Sequence, residues 1–361
     1  MTPLSLHEFH EGSHARFTAV NSCEAVNDYG DWLAEHAALR TSAGALDLSF
    51  RGRICLTGAD RASWLHGQVT NNIKDLRAGQ GCYAALVSAK GKLQSDLNIA
   101  CLPNELLLDF EPGLTGTITQ RLDKYIIADD VRVVDAAPHY GLLSAQGPQA
   151  EALVRSLGLP LEIPANPLHF TSLNDITLGE IYLMNQPRTG TNGFDLFVPL
   201  PALGAVFDKL TVAARAAGGR ACGWQALEAA RIEAGIPRFG VDMDETNLAP
   251  ETGIEGRAIS YSKGCYIGQE VIARVRTYGQ VAKALRGLRL ADGLSALPNR
   301  GDKLFHDGRE AGYITSALAS PAFQANIALG YIRKETNQIG ARLIWQNADG
   351  ESAVEIVKLP L

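Results

Sequence analysis

The sequence has no surplus of positive charge. Its 33 lysines and arginines stand against 39 acids, a net charge of −6. General nucleic-acid binding needs a basic face, so it is excluded as the main activity, while a local basic pocket for a small anion is not. No apolar run is long enough to span a bilayer. The N-terminal stretch MTPLSLHEFHEGSHARF has no apolar segment behind a basic start, so no secretory signal is expected. The cysteines Cys23, Cys55, Cys82, Cys101, Cys222 and Cys265 are scattered, with no CxxC and no zinc-spaced Cys/His cluster. A reducing, cytoplasmic setting without a bound metal is the simplest reading. Also missing are the phosphate loop GxxxxGKS/T, a GxGxxG after a strand, the serine elbow GxSxG and the zinc pair HExxH. Neither solenoid-period repeats nor low-complexity tracts are visible.

What remains is a chain built for a core. Hydrophobic residues make up 46% and charged ones 20%, the balance of a soluble globular protein. A length of 361 residues allows two or three domains. Residues 1–40 read as polar and helical, with an amphipathic stretch at Asp31-Trp32-Leu33-Ala34-Glu35-His36. Short strands broken by helices follow: Ala45–Leu48 and Arg53–Thr57 around an Arg51-Gly52 turn, Tyr83–Val87 and Leu97–Leu102 around Lys90-Gly91-Lys92, then Leu106–Phe110, a helix over 114–127 and Val131–Val134. That order predicts an α+β sheet lobe over roughly 45–135. Strands at Ile181–Met184 and Phe194–Val198 and helices over 203–217 and 224–234 continue the pattern. From about residue 281 the character is all-β with Gly/Asp/Asn turns, which predicts a separate C-terminal barrel over 281–361 and leaves 1–280 as the α+β region.

Four segments carry more than fold. In Lys263-Gly264-Cys265-Tyr266-Ile267-Gly268-Gln269-Glu270, glycines bracket a lone cysteine beside a lysine, an arrangement that favours a thiolate on a pliable backbone; a buried cysteine in a turn is the alternative. Its continuation, Val271 to Arg276, reads as strand-like, placing Arg274 and Arg276 on one face. In His66-Gly67-Gln68-Val69-Thr70-Asn71-Asn72, the amides of Gln68 and Asn71 can hold a polar heterocycle or simply cap a turn. Tyr83 and Asp96 flank the Lys90–Lys92 hairpin, and an acid just inside a strand can shuttle a proton or face solvent. Arg188 to Asp195 reads as a hairpin turn, or as a second acceptor, Asp195, pointing into a pocket.

Together these segments resemble the glycine-cleavage T-protein (aminomethyltransferase) superfamily. The pattern Asp47-Leu48-Ser49…Gly52-Arg53-Ile54, followed by Leu65-His66-Gly67-Gln68-Val69-Thr70-Asn71, is similar to its folate-binding domain. KGCYIGQE at 263–270 and Lys124-Tyr125-Ile126-Ile127 are similar to the YgfZ branch of folate-binding proteins. The resemblance implies a three-lobed aminomethyltransferase-like folate-binding fold with a C-terminal β-barrel, and tetrahydrofolate or a one-carbon derivative as cofactor. It places Tyr83 at the pterin and aminobenzoate site, Asp96 at the essential aspartate and Asp195 at the acid that grips the pterin. Arg188, Arg231, Gln68 and Asn71 complete the implied folate set. Cys265 would be the reactive group, favoured by Lys263, in the motif of Gly264, Tyr266, Gly268, Gln269 and Glu270. For the YgfZ branch the implied function is support of iron–sulfur cluster assembly or repair and tRNA modification, with cluster proteins as partners; the alternative is one-carbon transfer by an aminomethyltransferase. Departures from the transferase pattern are Arg188 for its tyrosine, Leu227 for an arginine with Arg231 one turn later, Asp195 for its glutamate, and the extra Cys265.

Overall fold

The structure is a computed structural model describing residues 1–279, 281–347 and 350–360. Gln280 and Leu361, which bound the two expected regions, lie outside the described residues. The chain divides into two units. The first comprises Met1–Ala84 and Asp96–Ala230; the second comprises Ala85–Ser95 and Arg231–Leu361.

The N-terminal forty residues are not continuously helical. Short helix His7–Gly12 leads into an antiparallel hairpin, Arg16–Val20 with Cys23–Asp28, before helix Trp32–Thr41. Asn21 and Ser22 both take positive φ, 47° and 65°, so a two-residue turn closes the hairpin. The sequence Arg-Phe-Thr-Ala-Val has the β-forming residues that the helical reading passed over.

Two sheets form the rest of the first unit. One has six strands in the order Phe170–Asp175, Gly179–Asn185, Gly193–Pro199, Tyr140–Gln146, Gly44–Asp47 and Arg220–Ala221. The helix Leu200–Ala216 covers one of its faces through Leu203, Val206, Phe207, Leu210 and Ala214, spaced three and four residues apart. The second sheet has five strands in the order Gln80–Val87, Leu93–Cys101, Leu106–Phe110, Gly52–Thr57 and Arg132–Asp135. Gly44–Asp47 and Gly52–Thr57, neighbours in sequence, thus enter different sheets. A cluster containing Leu46, Cys55, Leu107, Leu142 and Phe197 draws on strands of both.

The second unit contains a closed six-stranded barrel over the described part of 283–357. Its interior is apolar: Leu288, Leu304, Ile314, Ala328, Ile332, Leu343 and Ile356 are all fully buried. The α+β region and C-terminal barrel read from the pattern are both present. Among the described residues no helix is long and apolar enough to cross a membrane, and no group of His, Cys, Asp and Glu is placed to hold a metal ion.

Candidate functional site

Asp96 stands on strand Leu93–Cys101, one residue inside the first unit. The hydroxyl of Tyr83, on the neighbouring strand, donates to Asp96 Oδ2 at 2.8 Å. Tyr83 is therefore more than a wall of the site; it orients the acid. Burial pushes the Asp96 carboxyl up to about 6, and the charge of Glu111 adds to the rise. The Tyr83 hydrogen bond and Arg51 pull the other way without cancelling it. A carboxyl so poised exchanges its proton near neutral pH, as a general acid or base must.

Beside it lies a buried ion-pair cluster. Arg51 Nε donates to Asp109 Oδ1 at 2.7 Å, and its Nη1 donates to Glu111 at 3.1 Å. Arg188 Nη2 reaches Asp109 at 3.1 Å and Asp195 at 2.5 Å, and its Nε donates to both oxygens of Asp195. Ser144 Oγ donates to Asp195 Oδ1 at 2.7 Å. Asn98 Nδ2 donates to Asp109 Oδ2 at 2.9 Å. Burial opposes the charge on Asp109, but Arg51 and Arg188 outweigh it and hold that carboxyl well below the usual range. Asp195 is thus no open acceptor: Arg188 and Ser144 already supply donors to both of its oxygens.

Arg51, Asp109, Glu111, Asn98 and Ser144 were not singled out from sequence. Arg51 sits in what reads as a turn, and Asp109 in what reads as a plain strand. The available signal was Asp109 itself, an acid inside the apolar run Leu106-Leu107-Leu108-Asp109-Phe110.

Other expected site residues are placed differently. Gln68 Oε1 accepts from Arg121 at 3.2 Å, and Arg121 stacks 4.1 Å over Tyr125. Asn71 Nδ2 donates to the Tyr83 carbonyl at 2.8 Å, so it braces the strand that carries Tyr83. Arg231 belongs to the second unit, where it pairs with Asp242 and donates to Ser316 Oγ at 3.1 Å. Those contacts tie the chain after helix Trp224–Glu233 to the barrel and give Arg231 a structural role there.

The KGCYIGQE segment also lies in the second unit. Cys265 is exposed. Lys263 is buried, its ammonium 4.9 Å from the centre of the Tyr266 ring. Gly268, at φ +83°, begins the helix Gln269–Tyr278. A Cβ on Gly268 would lie 2.5 Å from the Ser88 carbonyl oxygen, so this position admits only glycine without strain. The expected strand over 271–276 is a helix instead. Residues two apart on a helix point about 200° apart, so Arg274 and Arg276 do not share a face. Arg274 pairs with Glu270 at 2.6 Å, and Arg276 stacks 3.9 Å over Tyr261. A short apolar run does not by itself separate strand from helix, and the Gly268 turn decides it.

The chain matches the GCVT N-terminal domain over residues 6–263 and the glycine cleavage T-protein C-terminal barrel domain over 283–361. It is 27% identical to an aminomethyltransferase of Halalkalibacterium halodurans, with 93% of each chain covered. It is 31% identical to a putative chloroplastic transferase of Arabidopsis thaliana, covering 82% of this chain and 66% of the relative. Its fold is similar to a crystal structure of the glycine cleavage system aminomethyltransferase T from Bartonella henselae, with TM-score 0.89 and 23% identity over 99% of this chain and 97% of that one.

Proposed function

The chain belongs to the glycine-cleavage T-protein family, and from that premise we propose that it binds tetrahydrofolate and acts on a folate-borne one-carbon unit, with Asp96 carrying the proton. The Tyr83–Asp96 pair carries this reading: an acid raised to about 6 and oriented by a phenol hydroxyl. Aminomethyl transfer has the wider support, since relatives named aminomethyltransferase match across nearly the whole chain. In that reaction the two folate amines bond to the one-carbon unit while its bonds to ammonia and to the carrier sulfur break. Each amine loses a proton; one goes to the departing ammonia and the other to the departing thiolate. Asp96 accepts an amine proton when ionised and delivers it to the departing ammonia when protonated. Tyr83 fixes which carboxylate oxygen faces the work.

The residues fit a folate in part. Asp96 and Tyr83 supply the acid and an aromatic wall. Asp195 does not fit as an acceptor for a pterin ring while Arg188 holds it, so ring recognition would fall to Arg188 as donor or follow its displacement.

That same contact favours a second reading. A YgfZ-type protein would bind tetrahydrofolate without aminomethyl turnover and support iron–sulfur cluster assembly or repair and tRNA modification. Its support is the KGCYIGQE segment, with Cys265 exposed on the surface, and the occupied Asp195. The test is incubation with tetrahydrofolate and an aminomethyl-lipoyl carrier protein, with calorimetric folate binding alongside. Carrier-dependent ammonia and methylene-tetrahydrofolate establish transfer. Folate binding without turnover moves the function to the second reading, and absence of folate binding removes both.

A further inference from the structure

A cavity of about 200 Å³ lies between the two sheets of the first unit, one two-residue step along the strands from the ion-pair cluster. Leu107 follows that step from Asp109 on one sheet, and Phe197 follows it from Asp195 on the other. Cys55 and Leu107, facing partners in the register, form the floor with Phe197. Tyr140 and Tyr182 make the wall, their ring centres 6.0 Å apart. Such an apolar space with a few convergent polar groups is the usual form of a small-ligand site.

Arg53 is the cation among the polar groups that line it. It is 1% exposed. Its terminal nitrogens donate only to backbone carbonyls: Nη1 to Ser49 and Arg51 at 3.1 and 3.0 Å, Nη2 to Ser49 and Tyr140 at 3.1 and 2.9 Å. Its Nε is buried with no acceptor, and the guanidinium has no ion-pair partner among the described residues. A buried cation without a carboxylate is costly, and a buried N–H without an acceptor adds to that cost. Burial lowers the proton affinity of Arg53 to about 10, which still leaves it charged at neutral pH.

We propose that this inter-sheet cavity is a second small-molecule site, taking a compact monocarboxylate with an aromatic or branched apolar body, its carboxylate accepting from Arg53 Nε. Glu105 and Asp135 also line the cavity, and their negative charge works against a bound carboxylate, so the contact with Arg53 has to outweigh it. Asp135 already accepts from the Ala137 amide at 3.0 Å. Burial and Glu105 together keep the Cys55 thiol protonated, so it serves as packing surface and not as nucleophile. The site stands apart from the folate reading and does not depend on it.

The test is calorimetry and ligand-observed NMR on the full chain with benzoate and its neutral isostere benzamide as probes. Benzoate is expected to bind at one per chain, at least tenfold tighter than benzamide. Arg53→Met is expected to erase that preference. Because Arg53 is core, Val134→Trp supplies an independent check: Val134 lines the cavity yet is 43% exposed, and the indole is expected to weaken benzoate at least tenfold in a folded protein. No benzoate binding by the wild-type chain, equal affinity for benzamide, or unchanged binding in Val134→Trp overturns the proposal. So does one-for-one displacement of benzoate by tetrahydrofolate, which would put the probe in the folate site.

Discussion

Arg188 closes on Asp195 through two guanidinium nitrogens while its Nη2 also reaches Asp109, so one cation bridges acids from both sheets of the first unit. The strand Gly193–Pro199 brings Asp195, and the strand Leu106–Phe110 brings Asp109. Removing one partner of a buried pair leaves the other uncompensated, which costs about 3–5 kcal/mol. Arg188→Met is therefore expected to lower stability by about that much in urea denaturation. Arg188→Met with Asp195→Leu is expected to recover most of the loss. A double variant no better than the single would show that the pair does not act as a unit.

Asp96→Asn tests the proton carrier. Turnover in the carrier assay is expected to fall at least about a hundredfold, the scale of general acid–base catalysis, with folate affinity changed far less. Equal losses in both would make Asp96 a binding residue.

The same acid sets a pH dependence of stability. Its folded value is about 6 against an ordinary 3.8. Between those pH values the folded state keeps a proton that the unfolded chain has released. Stability contributed at low pH is therefore lost as pH rises through the window, by up to about 3 kcal/mol. Asp96→Asn escapes this loss, so at pH 8 it is expected to be more stable than wild type and at pH 4 no more stable. Denaturant midpoints at the two pH values check it; a variant less stable at both rejects it.

Tyr83→Phe removes a hydrogen bond to the charged form of Asp96. The carboxyl is expected to titrate higher, moving the acid limb of the pH–rate profile, or the Asp96 carboxyl signal by NMR, upward from about 6. A fall in activity with an unmoved limb would leave Tyr83 a structural residue.

Cys265 is the exposed cysteine among those described, whereas Cys55 and Cys222 are buried. Iodoacetamide on the native protein is expected to modify Cys265 first, and Cys265→Ser to abolish that fast phase without a change in melting temperature. Gly268→Ala is expected to do the reverse, costing about 1–3 kcal/mol from the forced backbone at φ +83° while Cys265 stays reactive. Mass spectrometry and thermal melts separate the two.

The sequence by itself determined the fold class and the C-terminal barrel, and it singled out Tyr83, Asp96 and Asp195 as candidates, because period-two patterning and the family's motifs are local. It misread residues 1–40 and the 271–276 run, where short apolar segments fit either period and a turn decides. It could not place Arg51, Asp109 and Glu111 beside Arg188. Asp109 stands on strand Leu106–Phe110, while Arg51, Glu111 and Arg188 lie outside the strands; Arg51 and Arg188 are 137 positions apart in the sequence, and no spacing rule joins them. Only the tertiary structure brought two arginines to face three acids in the same low-dielectric space. The same tertiary packing raised the proton affinity of Asp96, through burial first and the charge of Glu111 second, occupied Asp195, and left Arg53 buried beside a cavity without a carboxylate partner.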